Sequence, residues 1–362
     1  MKHILDQEKT LKKLDPDKVY DSITMFPVQL KEAWEEASIQ TIKGKFTGIN
    51  KVCIVGMGGS ALAGRIIEHL SPALTSLPVF VSSNYRLPAW VDSSTLVMVS
   101  SYSGNTEETV SSFQDAIVRK AKIFVIASGG KLEQLAIKNN LNIFRLDTKR
   151  NPSGMPRLAL GSSLGAHLGL LQRLNVLKGS ELDIDSISGS LNNMASCLSN
   201  QKNIKNNPAK ILANKTKGKS IVIFSANHLN GSAYAAKNQI NESAKTFSVN
   251  FHLPDINHHL LEGLSLPKPF KQLTHFILLN SESYPQKIKD RLLITKEVLT
   301  KQGYPVTIIK PESTSMVDQA LETILFFEYF SFYLAMVSNV NPGPIPWVDY
   351  FKKRLESPLQ IK

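Results

Sequence analysis

Four short apolar runs in the first third of the chain, at 52–55, 79–81, 95–99 and 123–127, each end in a polar or glycine-rich turn. Helix-like patterns alternate with them. Strands separated by helices are joined by crossovers rather than hairpins, so the pattern predicts a parallel sheet with helices on both faces. Ligands of such sheets sit at the carboxyl ends of the strands. That places three turns on one rim: Gly58-Gly59-Ser60, the hexapeptide Ser101-Tyr102-Ser103-Gly104-Asn105-Thr106, and Ser128-Gly129-Gly130. The hexapeptide is the richest in small hydrogen-bonding side chains and runs into Glu107 and Glu108 at the start of a helical pattern. A tight turn into a helix N-terminus offers N–H groups and hydroxyls to an anion, although the same residues also suit an ordinary capped turn.

Other glycine-rich stretches fit nucleotide chemistry less well. The turn at 56–61 nearly matches a dinucleotide fingerprint, with Ala61 in the third glycine position. That fingerprint wants an acid about 20 residues on, to hold a ribose hydroxyl. The next run instead ends in Ser82, Ser83, Asn84 and Tyr85. Gly218-Lys219-Ser220 imitates the end of a P-loop, but Ala213 stands where the first glycine belongs, and the stretch precedes a strand instead of following one. The net charge of +12 is spread from Lys2 to Lys362 with no compact basic and aromatic run, so no nucleic-acid partner is expected.

The length of 362 residues suits two domains, and 42% hydrophobic with 20% charged residues suits a globular chain. Cys53 and Cys197 supply neither a disulfide framework nor a metal quartet, which fits a reducing compartment. The N-terminus, with Asp6, Glu8, Lys9, Lys12 and Lys13, lacks the apolar core of a signal peptide. The apolar segment 324–337 is interrupted by Glu328 and falls short of the roughly 18 residues of a membrane span, so it is expected as a buried helix. A cytoplasmic protein without a membrane partner is the resulting expectation.

Residues 1–50 read as a helical segment, broken near Asp15-Pro16-Asp17 and again at Pro27, that packs on a first domain at 51–176. A helical linker at 177–218, rich in Ser, Asn, Lys and Asp, leads to a second domain at 219–362. There a strand at 220–225, a polar turn at 226–232 and a helix from Ala233 repeat the plan of 52–70. Further strands at 275–279 and 306–310 complete a second sheet, so the second half reads as a degenerate copy of the first.

Candidate chemistry lies at two places. Arg157 follows Pro156 and precedes an apolar helix, where it is either a surface charge or a guanidinium aimed at the rim. Glu242 lies in Asn241-Glu242-Ser243-Ala244-Lys245, and His258 and His259 follow Leu253-Pro254-Asp255-Ile256-Asn257. A carboxylate and an imidazole are what proton transfer needs, though the same residues also serve as a solvated helix charge and packing histidines. No His-Glu-x-x-His spacing accompanies them, so no metal is expected.

Taken together, these motifs resemble the bifunctional phosphoglucose/phosphomannose isomerases, a family built from two sugar isomerase (SIS) domains. GMGGSALAG at 56–64, LP at 87–88, SSYSGNTEET at 100–109, SGGKL at 128–132 and PRLALG at 156–161 are similar to the motifs of its first domain. NESAK at 241–245, LPDINHH at 253–259 and NPGPIPWVDYFKKRL at 341–355 are similar to those of its second. The resemblance implies an α/β fold of two SIS-type, doubly wound parallel-sheet domains, each a flavodoxin-like three-layer αβα unit. By position, Gly59, Ser60, Ser101, Ser103 and Thr106 would hold a substrate phosphate, and Arg157 would stabilise an enediolate. Glu242 would be the base, and His258 with Lys352 would assist ring opening.

The implied activity is cofactor-independent interconversion of fructose 6-phosphate with glucose 6-phosphate and mannose 6-phosphate through a cis-enediol. Two alternatives stand beside it, a non-catalytic sugar-phosphate sensor and an amino-sugar phosphate isomerase. The family also implies a homodimer in which the histidine enters the neighbour's site. The apolar helices at 158–174 and 324–337 would either supply surface for that dimer or be internal. Departures from the family pattern are Arg65, Ala127, Asp255, His259, and Asn341, which stands where an Asp is usual.

Overall fold

The apolar runs of the first half pair as a five-stranded parallel sheet in the computed structural model, which describes residues 3–178 and 182–355. Positions 1–2, 179–181 and 356–362 of the segments drawn from the sequence lie outside the described residues. The strands are β1 (Lys51–Val55), β2 (Val79–Ser82), β3 (Thr95–Ser101), β4 (Lys122–Ala127) and β5 (Asn142–Arg145), in the order β2-β1-β3-β4-β5. Successive strand side chains point to opposite faces. Cys53, Val55, Val97, Val99 and Val125 accordingly join one apolar cluster with Phe113 and Leu132, while Val52, Ile54, Leu96, Met98 and Phe124 join another with Leu62 and Ile66. Each fully buried side chain of this kind is worth about 1.5–3 kcal/mol. A one-residue slip would exchange the two faces, so the register is strongly specified.

Eight helices matter for the site: α1 (Phe26–Ser38), α2 (Gly59–Leu74), α3 (Glu107–Val118), α4 (Gly130–Lys138), α5 (Leu160–Arg173), α6 (Asn230–Ser243), α7 (Met316–Val337) and α8 (Pro346–Leu355). The N-terminal segment breaks at Met25, between a helix at Val19–Thr24 and α1, as expected near Pro27. Pro27 sits in the first turn of α1, where its missing N–H costs nothing. Three glycines at a spacing of four, Gly161, Gly165 and Gly169, let α5 touch the backbone of α1. A Cβ at these positions would lie 2.5 Å from the Phe26 carbonyl oxygen, 2.2 Å from that of Leu30 and 2.7 Å from that of Trp34.

The two apolar helices considered for a dimer surface are internal. Every residue of α5 from Leu160 to Leu171 is buried, as is every residue of α7 from Gln319 to Val337. α7 begins eight residues before the apolar segment read from the sequence and, at 22 residues, is long and apolar enough to cross a membrane. Its most apolar 18-residue stretch is wholly buried within the protein. Its early polar residues are buried with partners: Glu322 accepts from the Ser313 hydroxyl and the Glu312 N–H, and Gln319 pairs with His228 and Ser281.

The second sheet is also parallel, with strands β6 (Ser220–Ser225), β7 (Ser248–His252), β8 (Thr274–Leu279) and β9 (Val306–Ile309) in the order β7-β6-β8-β9. This repeats β2-β1-β3-β4, with α6 following β6 as α2 follows β1. α2 and α6 pack against each other, which brings the carboxyl end of α6 toward the open rim of the first sheet. β5 and β7 were not foreseen. Both are short and carry polar residues, so they lack the continuous apolar run of a central parallel strand.

Candidate active site

The serine-rich hexapeptide is the turn between β3 and α3. Ser101 ends the strand, and Thr106 is the residue before the helix, with no side-chain cap on the first helical N–H groups. The Ser101 and Thr106 hydroxyls lie 3.0 Å apart, closing the loop across its mouth. The Gly104 N–H donates to Ser101 Oγ (3.2 Å), and the Asn105 N–H to Ser103 Oγ (3.3 Å). Gly104 has φ +68°, and a Cβ there would lie 1.8 Å from the Gly129 carbonyl oxygen, so this turn packs directly on the one after β4. Asn105 Oδ1 accepts from the Lys131 N–H (2.9 Å), which locks the two turns together.

The start of α2 completes this rim. Ser60 Oγ accepts from the Tyr102 N–H at 2.9 Å, and a Cβ on Gly59 would lie 3.0 Å from the Arg157 N. Small hydroxyls and the uncapped amino ends of α2, α3 and α4 therefore gather on one rim, an arrangement suited to an anion.

Arg157 sits in a short 3-10 turn, Pro156–Leu158, and is 3% exposed. It is not a surface charge. Its Nε donates to Ser243 Oγ (3.4 Å), and its Nη2 donates to the carbonyls of Pro342 (2.8 Å) and Gly343 (2.7 Å). Its Nη1 lies 3.8 Å from Glu242 Oε2. A guanidinium has five N–H donors. Three are committed to protein, and the two on Nη1 have no hydrogen-bond acceptor among the described residues.

The side chain of Glu242 is 28% exposed, so a small molecule on the rim can reach it. Burial raises the Glu242 carboxyl above its ordinary range, and the nearby charges of Arg157, Lys245 and Lys352 oppose that rise. Burial likewise lowers the guanidinium of Arg157, against the opposing charges of Glu242, Asp349 and Asp17. The Lys245 ammonium, brought down to about 8 by burial and by Arg157, donates to the carbonyls of Glu242 and Pro342. A partly buried carboxylate beside a fixed guanidinium is suited to moving a proton next to a developing oxyanion.

The structure thus brings Gly59, Ser60, Ser101, Ser103, Thr106, Arg157 and Glu242 to one rim. Lys352, on the exposed helix α8, contributes only through its charge on Glu242. His258 is not gathered there. It ends a 3-10 turn (Asp255–His258) after β7, is exposed, and has no hydrogen bond or ion pair to Glu242 or Arg157 among the described residues. Its neighbours His259 and Asp255 pair with each other at 3.3 Å.

The corresponding rim of the second sheet is filled by its own side chains. Ser225 Oγ donates to Asn230 Oδ1 (2.8 Å), His228 Nε2 pairs with Gln319 Oε1 (2.8 Å), and the Ala226 N–H donates to the Tyr284 hydroxyl (3.1 Å). A cavity of about 750 Å³ lies elsewhere, beside β9, lined by Cys197, Ile211, Lys215, Thr307 and Glu322 among others, and includes none of the rim residues.

Sequence reasoning missed the partners of Arg157. Ser243 and Lys245 lay within a recognised motif but carried no assigned role, and Pro342 and Gly343 act through carbonyl groups, which leave no side-chain signal. Asp17, which accepts from Asn341, was marked only as part of a chain break, with nothing to tie it to the site.

The Bacterial phospho-glucose isomerase C-terminal SIS domain family matches residues 205–355. The chain is 31% identical over 342 residues to a bifunctional phosphoglucose/phosphomannose isomerase of Caldicellulosiruptor bescii, covering 93% of this chain and 98% of that protein. It is 30% identical over 308 residues to the bifunctional phosphoglucose/phosphomannose isomerase of Thermoplasma acidophilum, covering 84% of this chain and 90% of the relative. Among solved structures, tagatose-6-phosphate ketose/aldose isomerase from Escherichia coli superposes with a TM-score of 0.65 at 15% identity, covering 90% of this chain and 95% of that one. At that identity the likeness concerns the fold.

Proposed function

The chain belongs to the bifunctional phosphoglucose/phosphomannose isomerase family, and from that premise we propose that it interconverts fructose 6-phosphate with glucose 6-phosphate and with mannose 6-phosphate. The observation that carries the reading is the Glu242 carboxylate held 3.8 Å from the uncommitted nitrogen of a buried Arg157, beside the serine-rich turn.

In the proposed reaction, Ser101, Ser103, Thr106, Ser60 and the Gly59 backbone hold the phosphate. Glu242 takes the C2 proton of the open-chain aldose and returns it to C1, while a proton passes from O2 to O1. C1 is thereby reduced as C2 is oxidised, and no outside oxidant or cofactor enters the balance. Arg157 Nη1 faces the oxygen that gains charge in the enediolate. His258 and Lys352 serve ring opening. Glucose and mannose 6-phosphate differ in configuration at C2, so one base makes both only if the enediol presents either face of C2 to Glu242.

The assembly we propose is a cytoplasmic homodimer with composite sites, in which His258 reaches the rim of the neighbouring chain. Its exposure and its lack of contact with Glu242 of its own chain support this. So do Trp347, Tyr350 and Phe351 of α8, which are 82%, 61% and 61% exposed beside the site. The experiment for the activity is incubation of the purified protein with fructose 6-phosphate under chelator. Both glucose and mannose 6-phosphate should form. No product at high protein concentration, with the sugar phosphate still bound, would make the chain a sensor instead.

A further inference from the structure

The C-terminal arm leaves the body through a knot of groups drawn from the whole chain. Arg157 holds the Pro342 and Gly343 carbonyls, and Lys245 donates to the Pro342 carbonyl at 3.3 Å. The Gly343 N–H donates to Asn341 Oδ1 (2.8 Å), and Asn341 Nδ2 donates to Asp17 Oδ2 (3.0 Å). Gly343 presses so closely on this carboxylate that a Cβ would lie 2.3 Å from Asp17 Oδ2. Asp17 comes from the turn between two N-terminal helices, Glu8–Leu14 and Val19–Thr24. Beyond the knot, none of the residues of α8 is buried.

The two carbonyls decide which edge of the guanidinium remains for substrate. Turning the Arg157 plane would break both Nη2 bonds, so Nη1 faces Glu242 only while Pro342 and Gly343 hold their places. Asn341 fixes Gly343 through the backbone N–H, and Asp17 fixes Asn341. The same root sets where α8 begins and therefore where Lys352 stands relative to Glu242.

We propose that Asp17 is a positioning residue for the isomerisation, acting through Asn341 and Gly343 to aim Arg157 and to root the arm that carries Lys352. The proposal rests on the isomerase reading above. It assigns Asn341 a specific task as well, because only a donor at that position can meet the Asp17 carboxylate.

The test is a charge exchange. Asn341→Asp sets two carboxylates face to face at hydrogen-bond distance, which like charges resist. It should lower kcat by at least about tenfold while leaving KM within about twofold, because a transition-state contact is lost and the phosphate donors are untouched. The double variant Asp17→Asn with Asn341→Asp restores one donor and one acceptor, and should recover kcat to within about threefold of wild type. Hydrogen exchange over 338–355 is followed in parallel. It should quicken in the single variant and slow again in the double.

The exchange readout needs no turnover, so an inactive wild type would defeat the isomerase reading while exchange still decides whether the pair roots the arm. Should Asn341→Asp fail to fold, Asp17→Ala takes its place, with the same fall in kcat at steady KM. A single variant with wild-type kcat and exchange overturns the proposal. So does a folded double variant no better than the single.

Discussion

At the scale of single residues, the site is governed by how far burial is balanced by charge around Glu242. A general base must be ionised, so kcat/KM should fall on the acid side through the carboxyl of the free enzyme. Burial places that limb above the ordinary glutamate value of 4.5, and Lys352 is one of the cations holding it down. Lys352→Met removes a positive charge, which leaves the carboxyl easier to protonate. The acid limb of kcat/KM should therefore move to higher pH. The substrate phosphate titrates near 6 in both proteins, so the difference between their profiles isolates Glu242. An unmoved or lowered limb would remove Lys352 from the field of the base. The residues gathered here were marked in the sequence by their motifs and by the family resemblance, because the residue types alone suited a solvated helix charge, a surface arginine and a capped turn equally well. Their partners were not legible. Arg157 is aimed by two carbonyl oxygens and by a contact spanning from Asp17 to Asn341, and neither leaves a periodic or compositional mark.

At the scale of elements, α7 shows both what apolar patterning reveals and what it hides. Its carboxyl half announces a buried helix, yet the helix extends back through Gln319 and Glu322, whose polarity is absorbed by specific partners. Glu328 is the costlier case. It is wholly buried, its Oε1 accepts from Gln239 Nε2 at 3.1 Å, and no cation stands against it in an ion pair among the described residues. Burial raises its carboxyl well above 4.5. The folded state then holds a proton that the unfolded state has released, so this group's contribution to stability declines as pH rises above about 4.5. Glu328→Gln keeps the acceptor, can donate to the unpartnered Gln239 Oε1, and has no proton to lose. Urea midpoints at about pH 5 and about pH 8 should show the variant gaining on wild type as pH rises. A gap that is constant or shrinks would place a compensating charge near Glu328. The edge strands β5 and β7 escaped notice for a different reason. Half-exposed edges alternate apolar and polar residues in runs too short to stand out from loop sequence.

At the scale of the whole molecule, a repeated plan has produced one open rim and one filled rim. His228, Gln319 and Tyr284 occupy the crevice that the glycines and serines leave free in the first half. The repeat of strand, turn and helix was readable from the sequence. Which copy stays open was decided by side chains that meet only in the folded chain. A composite dimer site adds a further test by complementation. Glu242→Gln and His258→Ala chains, each nearly inactive, form hybrids in half of the dimers when they associate at random, and one site of each hybrid is intact. Activity should return to about one quarter of wild type. No recovery, with hybrids confirmed by differently tagged chains, would put both residues in one subunit's site. The proposed isomerisation depends on proton transfer by Glu242. Its most direct measurement is turnover of fructose 6-phosphate by Glu242→Gln against wild type, under chelator, with binding of the sugar phosphate measured on both. That role predicts retained binding and a loss in turnover of at least about 100-fold. Equal turnover by the two proteins would contradict it.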